Sequence, residues 1–193
     1  MKKITDTLAR MKEYDTKISV SGEAELESVM AELAFPSVLN PYTLGIPLAI
    51  SLIAEVVSFS LPQWVIWHSI FSALEFPDYA VFAGIVPCIL IFCVILFALG
   101  SLTARGYYAA LKGYLFLTAG VALVATIGFI ISLAEFLSSQ NDSAFLFMTA
   151  ILSIIFSMVS IIMLKTKWFA RTADGFMHNR AWRKLWKLRF HQS

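Results

Sequence analysis

After Asp78, three stretches of more than twenty residues in this 193-residue chain carry no charged side chain. They cover residues 79–104, 113–134 and 143–164 and contain 26, 22 and 22 residues. A helix rises 1.5 Å per residue and needs about 20 apolar residues to cross about 30 Å of hydrocarbon. Each stretch therefore predicts one membrane-spanning helix.

Composition excludes a water-soluble chain. Hydrophobic residues make up 59% of the sequence and charged residues 15%, whereas soluble domains carry about 25% charged residues. A domain of this size buries only about two-thirds of the surface that its unfolded chain exposes. A soluble enzyme, a nucleic-acid-binding module and a disordered tail are therefore excluded as interpretations of the whole chain.

We expect an all-α integral membrane protein with four transmembrane helices. Every backbone polar group in hydrocarbon must bond internally, and these runs are too continuously apolar for alternating barrel strands. The first span is interrupted only by Glu55. The predicted spans cover about 43–61, 79–103, 113–137 and 144–164, within a transmembrane bundle at 43–164.

The basic residues predict the orientation. All 15 lie in the N-terminal segment 1–42, in the link between spans two and three, or in the C-terminal tail 165–193, with five, two and eight respectively. The other two links, 62–78 and 138–143, contain none. Because lysine and arginine concentrate in cytoplasmic loops, we expect both termini in the cytoplasm and a multi-pass protein of the cell inner membrane.

Three segments lie beside the predicted spans, and the N-terminal and C-terminal ones have amphipathic patterns. Segment 1–42 has apolar residues at helical spacing, which suits helices on the cytoplasmic face or a docking surface for a soluble partner. Residues 63–75 follow Pro62, and we expect them to form a helix in the outer interface or an extension of span one.

The tail 165–193 is basic and rich in tryptophan, and it directly follows a span, so we expect it to bind anionic lipid headgroups rather than nucleic acid. The residues assigned to this lipid surface are Trp182, Arg183, Lys184, Trp186, Lys187 and Arg189.

An acidic residue inside a span is the most informative polar feature. Ser51, Glu55 and Ser58 follow i, i+4, i+7 spacing and share one face of the first span. An ionised acid at the membrane centre costs at least about 2.5 kcal/mol, so such residues usually face the bundle interior or water. This face predicts either a hydrogen bond to a neighbouring helix or, in an oligomer, the lining of a cation path.

Two further patterns are weaker. An outer acidic rim contains no base and could attract cations or a basic partner; it consists of Glu75, Asp78, Glu135 and Asp142. Small and hydroxyl residues at helical spacing in spans three and four indicate helix packing; these are Gly120, Gly128, Thr149, Ser153, Ser157 and Ser160.

No catalytic motif or metal-ligand spacing is present, so no catalytic residue, metal site or cofactor is assigned. We therefore expect a non-catalytic, partner-binding subunit of a membrane complex, with an accessory, assembly or immunity-type role. Its partner would be another membrane or cytoplasmic protein, or further copies of the chain. The alternative function is a homo-oligomeric cation channel or small transporter that uses Glu55. An enzyme would need residues that the sequence lacks.

Overall fold

The computed structural model describes residues 2–33, 45–138 and 143–190. These residues form α-helices, with one short 3-10 turn at Asp78–Ala80 and no strand within the described ranges. The helices are α1 (Lys2–Val20), α2 (Glu23–Glu32), α3 (Ile46–Ser60), α4 (Gln63–Ala73), α5 (Val81–Ala104), α6 (Tyr108–Ser138), α7 (Ser143–Lys165) and α8 (Lys167–Phe190).

Four helical segments are long and apolar enough to cross a membrane, which confirms the predicted number. They are Ile46–Ala73, Asp78–Ala104, Tyr108–Ser138 and Ala144–Lys165. The first of them contains both α3 and α4, so it includes most of residues 63–75, which the sequence suggested as an outer helix or as an extension of span one. The third begins five residues before the predicted start, because α6 continues through Lys112.

The chain forms two compact units. The first comprises Met1–Ile50, Ala98–Tyr114 and Ile162–Ser193, and we call it the terminal unit. The second comprises Ser51–Phe97 and Leu115–Ile161, and we call it the span unit.

Helices α1, α2 and α8 pack against one another in the terminal unit. Their shared core is apolar, and burying large apolar side chains stabilises it by about 1.5–3 kcal/mol each. Met11 and Ile18 of α1 and Leu26 of α2 are at most 1% exposed. The side chains that α8 buries include Phe169, Met177 and Leu185.

Pro62 breaks the first span of the span unit into α3 and α4. Proline has no N–H to donate, so the helical hydrogen-bond pattern is interrupted on its N-terminal side. Gln63 bridges the break, because its Nε2 donates to the Phe59 carbonyl at 3.1 Å and its Oε1 accepts the Trp67 indole N–H at 3.0 Å. Gly128 of α6 makes room for the proline, since a Cβ there would lie 2.5 Å from Pro62 Cβ.

Helix α4 ends in a Schellman motif. The Phe76 N–H donates to the Phe71 carbonyl at 2.9 Å, and the Glu75 N–H donates to the Ser72 carbonyl at 3.1 Å. The Phe71 and Phe76 rings meet edge to face at 5.6 Å, which adds the apolar contact typical of this motif. Glycine usually occupies the left-handed position, but here it is Glu75, with φ of 58°.

We expect Glu75→Gly to stabilise the protein. The left-handed conformation costs about 1–2 kcal/mol for a residue with a Cβ, and removing most of this cost should raise the melting temperature in detergent by about 2–4 °C. Ser72→Gly is the matched control, because Ser72 has ordinary helical geometry and glycine there should cost about 0.5–1 kcal/mol. A lower melting temperature for Glu75→Gly would contradict this explanation.

Candidate functional site

The polar face of α3 lies against a polar face of α7. Ser51, Glu55 and Ser58 are each 0% exposed, and so are Ser153 and Ser160 on α7. We call these five residues the serine–glutamate cluster. The sequence had assigned the α3 residues to a polar face and the α7 residues to helix packing, and the structure brings the two patterns together.

Hydrogen bonds join the two helices along this cluster. The Ser160 hydroxyl donates to Glu55 Oε1 at 2.5 Å, and the Ser51 and Ser160 hydroxyl oxygens lie 2.7 Å apart. Because Ser160 has one proton and donates it to Glu55, it accepts the bond from Ser51. Residue numbers rise along α3 as they fall along α7 from Ser160 to Ser153, so the two helices run antiparallel.

Ser58 and Ser153 exchange a reciprocal pair of hydrogen bonds. The Ser58 hydroxyl donates to the Ser153 carbonyl at 2.9 Å, and the Ser153 hydroxyl donates to the Ser58 carbonyl at 2.7 Å. In an unbroken helix, the N–H four residues later would occupy the Ser58 carbonyl, but that residue is Pro62. The Ser153 hydroxyl therefore supplies the donor that the proline removes.

The second oxygen of Glu55 has a different environment. Glu55 Oε2 is buried and has no hydrogen bond of normal geometry within the part of the chain that the structure describes. The Thr118 side chain of α6 lies close enough to influence this carboxyl group electrostatically. Its hydroxyl, however, also lacks a hydrogen bond of normal geometry among the described residues. Glu55 is thus held inside the span unit by the bond to Oε1, while Oε2 has no hydrogen bond of normal geometry among the described residues.

The other residues predicted to pack between helices divide into two groups. Gly128 contacts Pro62, and Ser157 is 4% exposed. Gly120 is exposed, and a Cβ added to it would meet nothing within 4 Å, so it does not pack against another helix among the described residues of this chain. Thr149 is half-buried and donates to the Leu146 carbonyl of its own helix at 2.8 Å.

The residues predicted to form an outer acidic rim have separate roles. Glu75 occupies the left-handed position that follows α4. Asp78 Oδ1 lies 3.7 Å from Nε2 of the His68 imidazole. Glu135 is half-buried in α6, and Asp142 lies outside the described residues. Within the described ranges, no three His, Cys, Asp or Glu side chains come together as a metal site would require.

In the terminal unit, basic side chains of α8 bind the carbonyl ends of two other helices. Lys184 Nζ donates to the Ile18, Ser19 and Ser21 carbonyls at 2.7, 2.9 and 3.2 Å, at the end of α1. Arg183 donates to the Arg105 carbonyl at 2.7 Å, just after α5. Cations are favourable at a helix C-terminus, because its last carbonyls have no helical partner and carry partial negative charge.

Arg180 connects three parts of the terminal unit, and no sequence pattern had singled it out. Its guanidinium donates to Asp15 of α1 and to the Gly106 carbonyl, the latter at 2.9 Å, and lies 4.5 Å from the centre of the Tyr107 ring. Gly106 has φ of 83°, and a Cβ there would lie 2.6 Å from the Phe176 carbonyl oxygen. The only signal in the sequence was a glycine in the short link between two spans.

The surface assigned to lipid binding has a different arrangement from the one expected. Arg183 and Lys184 bind protein carbonyls, and Arg189 pairs with Glu27 of α2. The aromatic residues are turned outward instead: Trp182, Trp186 and Phe190 are 46%, 48% and 60% exposed. Their rings follow one another at 5.5 and 4.4 Å, and we call these three residues the aromatic stripe.

No protein-family model, curated protein or solved structure matches this chain. The function is therefore argued from the geometry above.

We expect Ser160→Ala to destabilise the protein more than Ser157→Ala. Ser160 links Ser51 to Glu55, and hydrogen bonds between transmembrane helices contribute about 0.6–1.7 kcal/mol. Ser157 is the matched control, because it is buried on the same helix and its hydroxyl has no hydrogen-bond partner among the described residues. Unfolding in detergent measures the difference, and the loss from Ser160→Ala should shrink when Glu55 is already alanine. Equal losses for the two serines would contradict this role of the cluster.

We expect Asp174→Asn to change how stability depends on pH. Burial raises the pKa of Asp174 above its ordinary value of 3.8, although Arg10, 3.2 Å away, acts in the opposite direction. A raised pKa means that the folded state holds the proton more tightly, so the free energy of unfolding falls as pH rises through this window. The variant should be more stable than the parent at neutral pH, with the difference shrinking towards low pH. Denaturant unfolding from pH 4 to 7 measures this, and a difference that grows towards low pH would contradict it.

Proposed function

We propose that the protein is a non-catalytic, partner-binding subunit of a membrane complex. In this proposal it lies in the cell inner membrane with both termini in the cytoplasm, an orientation that the distribution of its 15 basic residues supports. The terminal unit is then the cytoplasmic part that meets another protein, in an accessory, assembly or immunity-type role.

The observation that carries this proposal is the aromatic stripe. Large apolar side chains on the surface of a membrane span contact lipid and need no other partner. Trp182, Trp186 and Phe190 are different, because they lie on α8, after the last candidate span. Exposed apolar patches outside the spans mark interaction sites, and tryptophan is enriched among the residues that contribute most binding energy at protein interfaces.

The arrangement of charge around the stripe favours a protein partner over nonspecific binding to lipid. Surface attachment by a basic helix depends on cations that face anionic lipid. Three cations predicted to do so, Arg183, Lys184 and Arg189, instead bond to groups of the same chain. These bonds hold the three cations against the protein, so they do not form one cationic face turned towards a lipid surface.

The alternative, a cation channel that uses Glu55, has less support. A conducting path needs the carboxyl group to reach water, whereas Glu55 is completely buried and accepts the Ser160 hydroxyl. Its unused Oε2 is the one observation in favour of an ion-linked role. Opening a path at this point would require α3 and α7 to separate and break the hydrogen bonds of the cluster.

Purification from the native host in mild detergent tests the proposal. We expect a second polypeptide at a fixed ratio to the chain, and at least a tenfold loss of its affinity in Trp186→Ala, since residues at interface hot spots contribute about 2 kcal/mol or more. Trp168→Ala is the matched control, because Trp168 is 38% exposed on the same helix but does not belong to the aromatic stripe.

A different result would overturn the proposal. Homomers or monomers alone, under conditions that leave the chain folded, would remove the partner-binding role. Cation flux through liposomes that contain the purified protein, abolished by Glu55→Gln, would establish the channel in its place.

A further inference from the structure

A basic cavity lies in the terminal unit where α8 passes the link between α5 and α6. Its volume is about 410 Å³, within the range of about 300–1,000 Å³ typical of small-molecule sites. Ile18, Ser19 and Tyr107 contribute to its wall. Its other lining side chains are all cationic: Arg105, Arg180, Arg183, Lys184 and Lys187.

The protein itself neutralises only part of this charge. Asp15 pairs with Arg180 and offsets one positive charge. Lys184 and Arg183 bond to main-chain carbonyls, which hold the side chains in position but do not cancel their charge. The carbonyls belong to the ends of α1 and α5, so part of the cluster serves to bind those helix ends. That structural role alone does not account for Arg105.

The exposed side chain of Arg105 differs from those of Arg180, Arg183 and Lys184, which bond to the protein. Its carbonyl accepts the bond from Arg183, but within the described residues its own guanidinium has no protein partner. A guanidinium presents a planar fork of donors that suits phosphate oxygens. Cations held in place by protein bonds, beside an arginine whose guanidinium has no partner among the described residues, are the arrangement expected of an anion site.

The position of the cavity along the chain indicates where the anion comes from. Arg105, Gly106 and Tyr107 are the only residues between α5 and α6, both of which are candidate spans. A group bound beside this link therefore lies at the end of two membrane-spanning helices, where lipid phosphates lie. Basic pockets at this level bind lipid headgroups.

We propose that this cavity binds a phosphate-bearing anion, with the headgroup of an anionic phospholipid as its source. Such a site is more specific than attachment of the tail to a charged surface, because it depends on one cavity and one arginine. It does not depend on the protein partner proposed above, and each can fail without the other.

The test measures binding of three probes to the full-length protein in detergent. The probes are phosphatidylglycerol, phosphatidylcholine and inorganic phosphate, and the readouts are lipid adducts in native mass spectrometry and the shift in melting temperature. The variants are Arg105→Gln and, as the matched control, Arg171→Gln. Arg171 is exposed on α8 in the same unit but does not line the cavity, so the two variants change net charge equally.

We expect phosphatidylglycerol to bind and Arg105→Gln to weaken its binding about tenfold, as the loss of one charge-assisted hydrogen bond predicts. Arg171→Gln should stay within about twofold of the parent, and phosphatidylcholine, which has no net charge, should bind weakly. Arg105→Lys should bind with intermediate affinity, since it keeps the charge but loses the fork of donors. Without ligand, all variants should melt at about the same temperature.

The other outcomes are equally informative. Binding of inorganic phosphate but not phosphatidylglycerol, with the same dependence on Arg105, would support the phosphate site. It would show that the bound anion is a soluble phosphate and not a lipid headgroup. Equal losses in Arg105→Gln and Arg171→Gln would show diffuse surface attraction and overturn the proposal. The absence of binding by both phosphatidylglycerol and inorganic phosphate would also overturn it.

Discussion

The carbonyl of Ser58 has no helical donor, because Pro62 stands four residues later, and in hydrocarbon no water can replace it. The hydroxyl of Ser153 supplies the missing bond, and the hydroxyl of Ser58 returns one to the Ser153 carbonyl. This exchange fixes the register of α3 against α7 and brings Ser160 to Glu55. The same proline also requires a glycine on α6, where Gly128 lies against its ring. Pro62, which has no N–H, therefore explains which faces of α3, α6 and α7 meet.

A comparable constraint organises the terminal unit. Helices α1 and α5 end with carbonyls that have no partner along their own helix, and the basic side chains of α8 bind both ends. Lys184 donates to carbonyls at the end of α1, while Arg180 and Arg183 donate to carbonyls of the residues just after α5. The positive charge of α8 thus has a structural role, which is to bind the carbonyl ends of other helices. Any binding of lipid or a partner comes in addition to this role.

The four spans could be predicted because uncharged runs and helix length are local properties of the sequence. The polar face with Glu55 and the serines of α7 were also visible, but as two unrelated patterns. Helical spacing shows which side chains share a face, and it does not show which other helix that face will meet. For the same reason Gly120 and Gly128 looked equivalent, although only Gly128 has Pro62 beside it. The basic tail was recognised by its charge, yet its contacts with Ile18 and Gly106 join residues far apart in the sequence.

Gly106 restricts how this protein can be altered. Its backbone conformation, its closeness to Phe176 and its carbonyl bond to Arg180 all depend on a link of three residues. An epitope tag or protease site inserted into that link would displace Gly106 and detach α8 from it. Such an insertion would report the topology of a damaged molecule, so labels for mapping sidedness belong on exposed side chains that leave the link unchanged.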